Sequence, residues 1–124
     1  MARRVLIADD AAFMREMLRD ILGQAGFEVC AEAADGNEAV ASFEEHEPDL
    51  VTLDIVMPRK SGLEALREII AREPGACVVM CSALGQEALV MEALEAGARD
   101  FIVKPFKPDH VLEVAQKALA KASD

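Results

Sequence analysis

The chain is predicted to fold as an α/β domain, an open, doubly wound parallel sheet of five strands flanked by five helices. Three observations carry that expectation. Apolar runs of strand length alternate five times with stretches of helical period, the pattern of parallel strands joined by crossover helices. Cys77 to Cys81 is a continuous apolar run, as a strand covered on both faces requires. Charged residues also stand where strands should end: Asp9 and Asp10 after Val5 to Ala8, Asp54 after Leu50 to Leu53, and Lys104 after Phe101 to Val103.

The elements follow in order. Strand 1 covers Val5 to Ala8, and helix 1 places Phe13, Met14, Met17, Leu18, Ile21 and Leu22 on one face before Gly23 and Gly26 end it. Strand 2, Glu28 to Ala33, alternates Val29, Ala31 and Ala33 with Glu28 and Glu32, which suits an edge strand with one wet face. Asp35-Gly-Asn-Glu38 reads as a capping box for helix 2, whose inner face is Ala39, Val40 and Phe43, with Pro48 as its stop. Strand 3 is Asp49 to Leu53. Ser61-Gly-Leu-Glu64 is a second capping box, opening a helix 3 that packs Leu63, Leu66, Ile69 and Ile70 inward before Pro74-Gly75 turns the chain. Helix 4 spans Gln86 to Ala96 with Gly97 as its left-handed cap. Pro108 sits in the first turn of helix 5, which buries Val111, Leu112, Ala115 and Leu119.

With 124 residues the chain is read as one domain over residues 1–124, large enough to bury roughly two-thirds of its extended surface. Thirteen basic against 23 acidic residues give a net charge of -10, which disfavours nucleic-acid phosphates as a ligand. No apolar run approaches the roughly 20 residues of a membrane span, so no membrane partner and a cytoplasmic, monomeric protein are expected. Cys30, Cys77 and Cys81 lack metal-type spacing and read as free core thiols. His46 and His110 have no ligand partners at useful spacing and receive no role, while Met14, Met17, Met80 and Met91 read as core filler.

Each charged residue has a plain structural reading alone: Asp9 or Asp10 as a helix cap, Lys104 as a solvated charge. Asp54 is followed by Ile55-Val56-Met57-Pro58 rather than by a helix, so the capping reading is weak there. Ligands of an open parallel sheet collect outside the carboxyl ends of its strands, so the four groups converge. Two like charges about 4 Å apart repel by about 4 kcal/mol near a protein surface, and three carboxylates with one lysine therefore call for a further cation. Hard oxygen donors with open positions suit Mg²⁺. A carboxylate beside Mg²⁺ and a lysine is equipped for phosphoryl transfer. Asp54, alone on the central strand, is the expected nucleophile, with Ser82 as a hydroxyl donor to the phosphoryl oxygen.

The acidic pair Asp9-Asp10, the Asp54-Ile-Val-Met-Pro58 segment, the Cys81-Ser82-Ala83 turn and the Lys104-Pro105-Phe106 ending resemble, over almost the whole chain, the receiver domain of two-component response regulators. The likeness is to its stand-alone chemotaxis form, with DDAAFMR from Asp9 and CSALGQEALVMEALEAGARDFIVKPF from Cys81 in support. The resemblance implies a flavodoxin-like strand order 2-1-3-4-5. It implies that Asp54 takes phosphate from a chemotaxis histidine kinase. Asp10, Asp54 and the Val56 carbonyl would then bind Mg²⁺ directly and Asp9 through water, Lys104 would contact the phosphoryl group, and Lys104-Pro105 would be cis. Ser82 and Phe101 become switch residues acting on the face of helix 4, strand 5 and helix 5. The implied partners are the kinase, the flagellar motor switch protein and a phosphatase, with no enzymatic turnover beyond self-phosphorylation and self-dephosphorylation. Two departures from common relatives are noted: Phe101 in place of Tyr, and apolar Val56 and Leu84 where polar residues often attend the attacking water, which predicts slow self-dephosphorylation.

Competing readings are a phosphorelay intermediate, an Asp-nucleophile phosphatase of the haloacid dehalogenase type, and a flavodoxin. The phosphatase needs a D-x-D motif after strand 1, where Asp10 is followed by Ala11-Ala12. The flavodoxin needs a Ser/Thr/Gly-rich loop there and aromatic rings around the flavin, yet the chain has no Trp or Tyr. A purely structural interaction module is the fourth.

Overall fold

The computed structural model describes residues 2–122. Its elements are β1 (Arg4–Ala8), α1 (Ala12–Gln24), β2 (Glu28–Ala33), α2 (Gly36–His46), β3 (Leu50–Asp54), α3 (Gly62–Arg72), β4 (Val78–Ser82), α4 (Glu87–Glu95), β5 (Asp100–Val103) and α5 (Pro108–Ala122). The five strands are all parallel, in the order β2-β1-β3-β4-β5. The α/β class, the strand order and the edge position of β2 therefore agree with the sequence reading.

Because side chains alternate across a strand, the sheet feeds two cores. Leu6, Ala8, Val51, Leu53, Val78 and Met80 pack on one face against residues of α2, α3 and α4, including Val40, Leu66 and Val90. Val5, Ile7, Leu50, Val79, Cys81 and Ile102 pack on the other against Leu18 and Leu22 of α1 and Val111, Ala115 and Leu119 of α5. Both capped helices start as the sequence predicts. Asp35 accepts from the Glu38 N–H at 2.8 Å, and Ser61 forms the full capping box with Glu64. Around Asp35 the reciprocal half is displaced by one residue, because Glu38 accepts from Ala34 N–H at 3.0 Å. Gly26 (φ 94°) and Gly97 (φ 119°) end α1 and α4 in the left-handed region, each with paired backbone bonds back to the last helical turn.

Several details differ from the sequence reading. On α1, Phe13 is 60% exposed and Met17 is exposed, while Leu18 and Leu22 are buried. At about 100° per residue, the buried stripe of Met14, Leu18, Ile21 and Leu22 leaves positions 13 and 17 at its edge, so six apolar residues were too wide a set for one face. Met91 is likewise exposed rather than core filler. On β2, the register slips between Val5 and Leu6, so Val29 lies opposite Val5 and Ala31 opposite Leu6. This bulge leaves Cys30 out of the pairing, half-buried rather than in the core, and sends Val29 and Ala31 to opposite faces. Cys77 and Cys81 are buried and free, although Cys77 precedes β4 and Ser82 ends it.

Candidate functional site

The carboxyl ends of β1, β3 and β5 bring the predicted charges to one place. Asp9 is 1% exposed and Asp54 6%, whereas Asp10 is exposed at the rim. Carboxylate oxygens of Asp9, Asp10 and Asp54 lie within 4.8 Å of one another. Lys104 Nζ donates to Asp54 Oδ2 at 3.0 Å and stands 3.0 Å from Asp9 Oδ2. Asp9 is not a helix cap: α1 has Ala11 at that position, and Asp9 Oδ1 instead accepts from Ala11 N–H at 2.9 Å, just ahead of the helix.

Backbone packing fixes Asp54. Ile55 N–H donates to Cys81 C=O at 3.1 Å, and Gly62 N–H donates to Ile55 C=O at 2.8 Å, folding the loop after β3 back under the site. A Cβ on Gly62 would lie 1.8 Å from the Asp54 carbonyl oxygen, so only glycine permits this approach. Lys104 is held by its N–H, which donates to Ser82 C=O at 2.7 Å, and the Lys104-Pro105 peptide is cis.

Burial raises the Asp54 carboxyl above its ordinary value and the nearby Asp9 charge adds to this, while Lys104 opposes both. For Lys104, burial favours the neutral amine, but contacts with Asp9 and Asp54 outweigh it and the ammonium is held above its usual range. Three carboxylates against one ammonium leave the pocket two negative charges in excess. Asp9 Oδ2 is buried and, among the described residues, has no hydrogen-bond partner; its ion-pair neighbour is the Lys104 ammonium at 3.0 Å, which it shares with Asp54. A buried anionic oxygen that shares one ammonium with Asp54, beside two further hard oxygen donors, fits a divalent cation such as Mg²⁺, and among the described residues this is the metal-type cluster that the fold assembles.

Ser82 is buried at the end of β4, opposite Val103 of β5. Beside it a cavity of about 200 Å³ is lined by Ser82, Leu84, Val90, Met91, Phe101 and Val103. Phe101 is half-buried against this space. Val56 is exposed, and Leu84 is 85% exposed.

Further contacts escaped the sequence reading. Arg15 Nη1 donates to the Asp9 carbonyl at 2.7 Å. Gln86 Oε1 accepts from Ala83 N–H at 2.7 Å, holding the turn after Ser82. Arg59, itself in the left-handed region at φ 65°, reaches the buried Asp35 at 2.7 Å and ties the loop after Asp54 to the start of α2. A polar side chain on an amphipathic helix or in a loop carries no sign in sequence that it turns toward a distant carbonyl; only the proximity of Arg15 to the acidic pair was visible.

Comparison with known proteins places the chain as a whole. The chain is 55% identical over 117 residues to the chemotaxis protein CheY of Thermotoga maritima, covering 94% of this chain and 98% of that one. It is 56% identical over 119 residues to CheY of Bacillus subtilis, covering 96% and 99%. Among solved structures, a chain of the CheX-CheY-BeF3-Mg²⁺ complex from Borrelia burgdorferi superposes with a TM-score of 0.89 at 42% identity, over 93% of this chain and 87% of that one. The profile of the response regulator receiver domain matches residues 5–116, and the chain belongs to that family.

Proposed function

We propose that the chain works as a chemotaxis response regulator whose state is set by phosphorylation of Asp54. The observation that carries this reading is the convergence of Lys104 Nζ, at 3.0 Å from both Asp54 Oδ2 and Asp9 Oδ2, with a third acidic group, Asp10, at the rim. Asp54 Oδ forms a new P–O bond as the P–N bond of a phosphohistidine donor breaks, and the imidazole leaves carrying the proton on its other nitrogen. Lys104 neutralises charge on the transferring group, and Ser82 donates its hydroxyl hydrogen to a phosphoryl oxygen. Asp10, Asp54 and the Val56 carbonyl, with Asp9 through water, would hold Mg²⁺, whose chemistry is to neutralise the carboxylates and the phosphoryl oxygens together.

The added charge draws Ser82 and Lys104 toward Asp54, and Phe101 turns into the cavity beside Ser82. With no phenol on Phe101, the switch rests on burying its ring. The face of α4, β5 and α5 then changes shape for the motor switch protein, while the kinase and a phosphatase load and unload Asp54. A partner that prefers the phosphorylated form stabilises it reciprocally, typically by about 1–3 kcal/mol.

The test is mass spectrometry after treatment with acetyl phosphate and Mg²⁺. One phosphoryl adduct is expected, mapped to Asp54 and absent from Asp54→Asn; no adduct, or one mapped elsewhere, contradicts the reading. Because Val56 and Leu84 offer no polar group to hold an attacking water, the adduct should decay slowly without a phosphatase. Phosphate release within a few seconds would contradict that part.

A further inference from the structure

We propose that Arg15 is a positioning residue for the turn that carries Asp9 and Asp10, anchored for that task by Glu32. The inference deepens the Mg²⁺ site proposed above and rests on it. Asp10 is exposed, and its side chain makes no hydrogen bond among the described residues, so its direction depends on the peptide that joins it to Asp9. That peptide is a rigid plane. Its carbonyl is the one held by Arg15 Nη1 at 2.7 Å, a charge-assisted bond and so a strong one.

Arg15 is itself fixed. Its Nε donates to Glu32 Oε1 at 3.1 Å, while the other Glu32 oxygen is held by Arg19 Nη1 at 2.7 Å. The bulge at Cys30 makes this possible: by slipping the register it places Glu32 opposite Ile7, on the sheet face that α1 covers. The next residue, Ala33, accepts the Asp9 N–H at 3.0 Å. Thus the end of β2 holds the acidic turn twice, directly through the Ala33 carbonyl and indirectly through Glu32 and Arg15. A lysine cannot reproduce the second link, because an ammonium lacks the planar fork that lets one guanidinium bind a carboxylate and a carbonyl at once.

The variants are Arg15→Lys, which keeps the charge, Glu32→Gln, and the two combined, each titrated with Mg²⁺ alone by calorimetry. Thermal unfolding with and without Mg²⁺ accompanies the titration. Arg15→Lys should raise the Mg²⁺ dissociation constant about tenfold, the low end of what supporting contacts around a metal contribute. Glu32→Gln should act in the same direction, and the double variant should be no worse than Arg15→Lys because both break one linkage. A wild-type affinity in Arg15→Lys overturns the proposal. So does a lower melting temperature without metal combined with an unchanged Mg²⁺-induced increment, which would mark a merely structural role. If the unaltered chain itself binds no Mg²⁺, the metal site fails rather than the part assigned to Arg15.

Discussion

Thr52 lies at the centre of the sheet, between Ile7 and Val79 in register, with its Oγ1 buried and, among the described residues, without a partner. A buried hydroxyl that makes no hydrogen bond costs about 1–3 kcal/mol relative to one left in water, and valine fills nearly the same volume without that cost. Thr52→Val should therefore stabilise the fold by about 1 kcal/mol or more, read as a higher denaturant midpoint at an unchanged slope. A lower midpoint would mean that the hydroxyl has a partner in solution. Thr52 also marks a limit of sequence reading. As a β-branched residue in an apolar run it announces a strand, whereas the unpaired oxygen is visible only once Ile7 and Val79 are known to flank it. Asp9, Asp10, Asp54 and Lys104 are the opposite case, since a charge closing an apolar run is conspicuous and strand polarity alone sends all four to one edge.

Among the elements, the turn from β3 into α3 and the start of α2 form one unit. Gly62 meets the Asp54 carbonyl, Gly36 N–H donates to Lys60 C=O at 2.9 Å, and Arg59 pairs with Asp35. Gly62→Ala cannot be accommodated without moving the loop that carries Asp54, and overpacking of this kind costs about 1–3 kcal/mol or more. Both stability in urea and the rate of acetyl-phosphate labelling should fall. Unchanged labelling would show that the loop yields without disturbing the acceptor. Asp35 supplies a pH prediction. Its carboxyl is held below its ordinary value, first by the Glu38 N–H and then by Arg59. A carboxyl depressed in the folded state stabilises that state above its unfolded pKa, near pH 4, and the contribution fades as pH falls through the lower, folded value. Asp35→Asn, which can still cap α2 but not pair with Arg59, should thus be less stable than the parent at neutral pH, with the difference shrinking below about pH 4. A difference that persists undiminished into acid would assign the loss to packing. The Asp35 cap and the Ser61 capping box behind this unit are legible as short motifs; the β2 bulge is not, because Glu28 to Ala33 alternates regularly and only pairing with β1 shows where the register slips.

Taken together, the ten elements form two cores on one sheet, and their alternation along the chain was readable because helix and strand impose different apolar periods. Strand order was not readable from periodicity, since any right-handed winding of five such units satisfies the same pattern; it came from resemblance. The net charge of -10 is a property of the entire surface and calls for a different test from the pocket. Like charges spread over so small a body repel one another, and this self-repulsion opposes compactness until salt screens it, with a Debye length of about 30 Å at 0.01 M falling to about 8 Å at 0.15 M. Raising potassium chloride across that interval should raise the melting temperature of the parent and of Asp54→Asn alike, because one carboxylate removed leaves the surface strongly acidic. Mg²⁺ at millimolar concentration, added in the higher salt, should stabilise the parent further and Asp54→Asn much less, because that increment comes from a site requiring Asp54. Equal Mg²⁺ increments in the two proteins would instead place the divalent effect with the general surface charge and remove the local cation from the account of the pocket.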